Sequence, residues 1–122
     1  MASLSIRIDV GPGNRIGPGK VQLLEMIAEQ GSISAAGRAL GMSYRRAWLL
    51  IEAMNTGFGR PVVEAQIGGK AGGGARLSPF GADLIAHYRA IERAADRAAA
   101  PFLDRIAASA PGRDAVPPTG AS

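Results

Sequence analysis

Leu4, Ile6, Ile8 and Val10 alternate with Ser5, Arg7 and Asp9, a period of two that predicts a half-buried strand. The following run, GPGNRIGPG, holds four glycines and two prolines and is expected to break regular structure. From Lys20 to Gln30 the period changes. Val21, Leu24, Ile27 and Ala28 recur at helical spacing, with Leu23 and Met26 widening the stripe, and Gly31 stops the helix. Ser34 or Ser32 caps a second helix, which Gly41 ends after about two turns. Ser43 then caps a third, running from Tyr44 to about Asn55. Its inward stripe is Ala47, Leu50, Ile51 and Met54. Arg45, Leu49 and Glu52 point outward, and Tyr44, Arg46 and Trp48 lie on the flanks.

Two short helices joined by Leu-Gly-Met, with Ala36 and Gly37 where they would touch, form a helix-turn-helix pattern. Val62–Ile67 and the short Ala-Arg-Leu-Ser stretch have strand propensity. Between them GGKAGGG is too glycine-rich to pack and predicts a flexible hairpin tip carrying one cation. A helix-turn-helix followed by such a hairpin is a winged helix. From Pro79, suited to a first helical turn, a stripe of Phe80, Leu84, Tyr88, Ile91, Ala95, Ala98, Phe102 and Ile106 predicts a long helix. That stripe exceeds the needs of a small core. It either meets a partner helix or folds back over its own domain in the distal half. Pro101 is expected to kink or break the helix at about Ala100. The predicted fold is therefore mainly α: a winged helix-turn-helix with a small β-sheet over residues 1–78, and a long carboxy-terminal linker or dimerisation helix over 79–108. Residues 109–122 read as a disordered tail.

Composition narrows what such a domain does. The chain has 122 residues, no cysteine and only 5% aromatics, which excludes thiolate zinc sites and thiol nucleophiles and leaves little room for a large pocket. The missing cysteines, the lack of a signal-peptide pattern in MASLSIRIDV and the absence of a membrane-spanning apolar run predict a cytoplasmic protein. Of the net charge of +4, all falls between residues 32 and 78, which hold six basic and two acidic side chains. A polyanion is the natural partner for that segment.

Other chemistries fail on particular residues. GPGNRIGPGK lacks the spaced first glycine and the hydroxyl of a phosphate loop, since Asn14 and Val21 stand at those positions; IGGKAGGG has Glu64 where its first glycine should be. His87 is the single histidine and has no metal-binding companion. No serine sits in a nucleophile elbow, and Glu25 and Glu29 read as solvated helix faces. Neither an enzyme nor a cofactor or metal is expected.

The third helix is the candidate reader of double-stranded DNA. Ser43 and Tyr44 suit phosphate or base acceptors, Arg45 guanine or phosphate, and Arg46 the backbone. Leu49 suits a thymine methyl or stands as an ordinary exposed leucine; Trp48 is either a packing anchor or a DNA contact. Ser32 and Ser34 at the second helix, and Gly69, Lys70, Gly72, Gly73, Gly74 and Arg76 in the hairpin, complete the candidate contact set. The candidate dimer interface is Phe80, Leu84, Tyr88, Ile91, Ala95 and Phe102.

GSISAAGRALGMSYRRAWLLIEAMN followed by GGKAGGGARLSPFGADLI resembles the amino-terminal DNA-binding domain of ModE-type molybdate-responsive transcriptional regulators and, more distantly, the LysR-type winged helix. The likeness spans residue 4 to about 100. It implies a nucleoid-associated homodimer, joined through the last helix and bound to a palindromic promoter site, acting at molybdenum-metabolism or nitrogen-fixation genes. It maps base and phosphate contacts to Ser43, Tyr44, Arg45 and Arg46, and the wing to Gly69, Lys70 and Gly72–Gly74. Full-length members continue into molybdate-binding domains. Some twenty residues follow the linker helix here, so molybdate binding by this chain is not expected. The rival expectations are an interaction module that kept the fold but lost DNA, and a molybdate-handling protein.

Overall fold

A computed structural model describes residues 2–66 and 74–110. The order of elements is β1 (Ile8–Gly11), β2 (Asn14–Ile16), α1 (Pro18–Gln30), α2 (Ile33–Ala39), α3 (Tyr44–Phe58), β3 (Val63–Gln66), β4 (Gly74–Leu77) and α4 (Pro79–Ser109). The strands form two antiparallel hairpins, β1–β2 and β3–β4. The second is the wing, although its tip, with Gly69, Lys70, Gly72 and Gly73, lies outside the described residues. Residues 111–122 of the tail do too.

Three expectations need correction at the amino-terminal end and in α4. The Gly/Pro-rich run is not structureless, because Asn14–Ile16 pairs with Ile8–Gly11 across a turn in which Gly13 takes φ +73°. Asn14 and Ile16 are buried, so tertiary packing outweighs the weak strand propensity of the run. The long alternating strand shrinks correspondingly. Its register slips between Asp9 and Gly11, and Leu4 and Val10 are exposed. Finally, Pro101 does not break α4, which continues to Ser109. A proline removes one backbone donor, and at this exposed position water can satisfy the carbonyl left free.

Helix ends otherwise follow local chemistry. Pro18 opens α1 two residues before the predicted start, and Gly31 closes it in the left-handed region at φ +77°. Ala28, placed on the inward stripe by spacing, is exposed. Gly59 caps α3, whose last residue, Phe58, lies three beyond the predicted end.

The core gathers Ile16, Val21, Leu23, Leu24, Ile27, Ala36, Ala47, Ile51, Met54, Val62, Ala75 and Tyr88. Only the start of α4 joins it. Ser78 caps that helix, accepting from the Gly81 amide at 2.9 Å while donating to the Pro61 carbonyl at 2.7 Å. Gly81 passes so close to Val62 that a methyl group would collide with the Val62 carbonyl. Phe80 packs edge-on against Phe58 with ring centres 5.1 Å apart, and the Arg60 guanidinium covers its face at 4.3 Å.

Two turns later Tyr88 is 1% exposed, and its hydroxyl donates to the Ile6 carbonyl at 2.6 Å. Burial, with Glu92 adding to it, pushes the phenol's pKa up, so the group stays a donor. Beside it Arg89 donates to both Glu25 oxygens, at 2.6 and 3.0 Å, and to Glu92 at 2.6 Å. These hydrogen bonds, Glu25 foremost, raise its pKa above the ordinary guanidinium value. The fork ties α4 to α1.

Tyr88 is therefore removed from the candidate dimer interface, because its own domain covers it. Phe80 and Leu84 are likewise partly buried against their own core. Beyond Arg89 the helix has no buried residue, and Ile91, Phe102 and Ile106 are exposed, so the distal half does not fold back. Ala95 is half-buried.

Two stability outcomes follow. Gly81→Ala forces α4 away from Val62 and should cost about 1–3 kcal/mol in urea unfolding. Tyr88→Phe leaves the Ile6 carbonyl without its donor and should cost about 1–2 kcal/mol by the same measurement.

Candidate nucleic-acid interface

The site begins with two serines. Of the two candidate caps for α2, Ser32 takes the role, accepting from the Ala35 amide at 3.0 Å. Ser34 lies inside the helix and accepts from Arg38 at 2.9 Å. Ser43 caps α3 by accepting from the Arg46 amide at 3.1 Å, which leaves its hydroxyl proton free to donate.

Between the caps, the turn is fixed by close approach. Gly41 takes φ +71°, and the Met42 amide donates to the Gly37 carbonyl at 2.9 Å. A methyl group on Gly37 would lie 3.2 Å from the Met42 carbonyl oxygen and 3.5 Å from the Ala47 Cβ. Ala36, Gly37 and Ala47 are all buried, as the small-residue pattern predicts. The shallow packing lets α2 brace the first turn of α3.

On α3 the inward stripe is Ala47, Ile51 and Met54, with Leu50 half-buried. The opposite side holds Arg45 and Arg46, both exposed, with Tyr44 56%, Trp48 42% and Leu49 48% exposed. Among the described residues neither arginine side chain has an ion-pair partner. Three large apolar or aromatic groups uncovered beside two free cations form a surface suited to a partner.

Tyr44 and Trp48 also line a groove of about 350 Å³ between α3 and the wing strands, with Glu52, Asn55 and Glu64 on its walls. Asn55, which spacing alone did not single out, accepts from the Val62 amide at 2.8 Å and so fixes where the wing leaves α3. Only the pair's separation in sequence hid it.

The described wing residues differ from expectation in detail. Arg76 sits opposite Glu64 in the ladder, and their exposed side chains approach to 3.4 Å, so its charge is partly matched. Gly74 packs at the wing root: a side chain there would press on the Gln66 and Gly31 carbonyls, at 3.1 and 3.4 Å. The adjacent Ala75 amide donates to Gly31 at 2.8 Å, anchoring the wing to the α1–α2 junction. His87 is exposed on α4, and no group of described residues has the makings of a metal site.

The chain is similar to known proteins in sequence and in fold. Over 80 residues, 66% of this chain and 30% of the relative, the sequence is 55% identical to the molybdenum-pterin-binding protein MopB of Rhodobacter capsulatus. It is 37% identical over 92 residues to the molybdenum transport protein ModE of Azotobacter vinelandii, covering 75% of this chain and 33% of that one. With the DNA-binding transcriptional dual regulator ModE of Escherichia coli K12 the identity is 44% over 71 residues, 58% of this chain and 27% of the other. The chain thus spans about a third of the length of these relatives. Its fold matches the crystal structure of the CbnR_DBD–DNA complex with a TM-score of 0.55 at 22% identity, over 74% of this chain and 95% of that one. Residues 19–82, from the start of α1 through the wing into α4, match the model of the lysR-family bacterial regulatory helix-turn-helix proteins. The chain, with its braced helix pair and wing, belongs to that family.

Proposed function

We propose that the chain is a transcriptional regulator that binds double-stranded DNA by inserting α3 into the major groove. The reading rests on one observation: a helix braced by its neighbour exposes Arg45 and Arg46, without counter-ions among the described residues, beside Tyr44, Trp48 and Leu49. Arg45 is the base reader, since a guanidinium pairs with the two acceptors of a guanine edge. Arg46, Ser43 and Lys70 hold phosphates and set the register. Exposed Trp48 favours its role as a contact over that of a packing anchor.

The functional unit is a homodimer on a palindromic promoter site, joined through the distal half of α4. Ile91, Ala95, Phe102 and Ile106 are the contact residues. Two recognition helices then reach half-sites one helical turn apart. The names of the relatives support a place among genes of molybdenum metabolism, and DNA as partner implies a cytoplasmic, nucleoid-associated protein.

Binding to duplex selected from genomic fragments tests the reading by fluorescence anisotropy. Arg45→Ala should weaken the selected site by about 1–3 kcal/mol and relax its preference at one base pair; unchanged affinity and preference refute the assignment. Phe102→Asp, at an exposed helical position, should shift the sedimentation of the free protein from dimer to monomer, and a sedimentation profile identical to that of the parent chain refutes the α4 interface.

A further inference from the structure

Behind the amino-terminal end of α3 lies an open groove of about 360 Å³ lined by Arg7, Arg15, Lys20 and Arg46, with Met42 and Leu50 on its apolar floor. We propose that this groove is a second phosphate-contact surface, which carries the DNA footprint from the helix-turn-helix onto the β1–β2 hairpin. The inference rests on the reading of α3 as the DNA-binding helix.

The four cations come from four places in the chain: the segment before β1, then β2, α1 and α3. Local sequence does not bring them together; the packing of the hairpin beside α1 and α3 does. Two contacts hold them there. The Arg7 stem lies across Gly17, where an added methyl would come within 3.0 Å of it. The Lys20 ammonium donates to the Arg15 carbonyl at 2.9 Å. No carboxylate is among the described lining residues, and Arg15 is paired with Asp9 at 2.7 Å. Among the described residues Arg7, Lys20 and Arg46 have no ion-pair partner. Like charges gathered at one groove repel across less than a Debye length, and a polyanion relieves that repulsion.

Continuity selects the partner. Arg46 is the third residue of α3 and follows Arg45 directly, so the groove is an extension of the candidate interface and not a separate pocket. A strand whose bases meet Arg45 runs its neighbouring phosphates past Arg46 toward Lys20 and Arg7. The hairpin that supplies Arg15, with Arg7 just before it, precedes the segment matched by the family model, which starts at residue 19. It is an addition to the helix-turn-helix unit, and the phosphate surface gives it a purpose.

The test is the double variant Arg7→Gln with Lys20→Gln in the full chain, which spares the Arg15–Asp9 pair and all of α3. A thermal melt checks that it folds as the parent does. Each phosphate contact contributes about 0.9 to the slope of log affinity against log salt. Losing two contacts in each protomer of the homodimer should therefore lower the slope by roughly 3.6, so that a fourfold rise in salt costs the variant roughly 150-fold less affinity than the parent. The loss should be equal on selected and random duplexes, and ethylation interference should lose phosphates flanking the half-site while base preference persists. An unchanged slope and interference pattern in a variant that binds DNA overturns the groove and leaves the α3 reading standing. A parent chain that binds no duplex at low salt overturns both. A change of base preference in the variant also overturns the proposal, because phosphate contacts carry no sequence information.

Discussion

The close approach of α2 to α3 at Gly37 is the contact on which the rest of the surface depends. A seven-residue helix is too short to persist alone. Here it is held by burial of Ala36 and Gly37 against Ala47, with the Gly37 carbonyl also accepting from the turn. Because no side chain separates the backbones, the position of α2 fixes the pose of α3 and hence where Tyr44, Arg45 and Arg46 project. A larger residue at this point would move the cations together.

Charge is sorted by the same packing. Arg60, Arg76 and Arg89 are engaged within the chain, over Phe80, opposite Glu64 and between Glu25 and Glu92. Among the described residues Arg7, Lys20, Arg45 and Arg46 have no ion-pair partner, and Arg45 and Arg46 stand at the exposed end of the braced helix. The middle-of-chain excess of positive charge is therefore not one patch. Part of it is taken up by contacts that build the wing and the α3–α4 corner, and the remainder joins with cations from the amino-terminal region.

The long helix divides in function along its length. Its first ten or so residues, from the Ser78 cap to the Arg89 fork, are part of the domain, bonded to Pro61, Ile6 and Glu25. The remainder has no buried residue and displays Phe102 and Ile106. A single unbroken hydrophobic period spans both halves, since a helix repeats its face whether its own core or another molecule covers it.

Features set by neighbouring residues were legible in the sequence. The serine caps, the glycine stops, the inward stripe of α3, the small residues between α2 and α3 and the wing strands all follow from periodicity, capping and backbone freedom within a few positions. So did the exposed set on α3, the complement of that stripe. Contacts between distant residues decided the rest. The β2 strand hides in a Gly/Pro-rich run because its stability comes from burial of Ile16 and pairing with β1, not from propensity. Tyr88 belongs to the core through a bond to a residue 82 positions away, and Arg89 finds Glu25 across 64. Period alone cannot separate a stripe that faces its own domain from one that faces outward. Nor can it foresee which cations packing will pair and which it will gather, unpaired, beside the recognition helix.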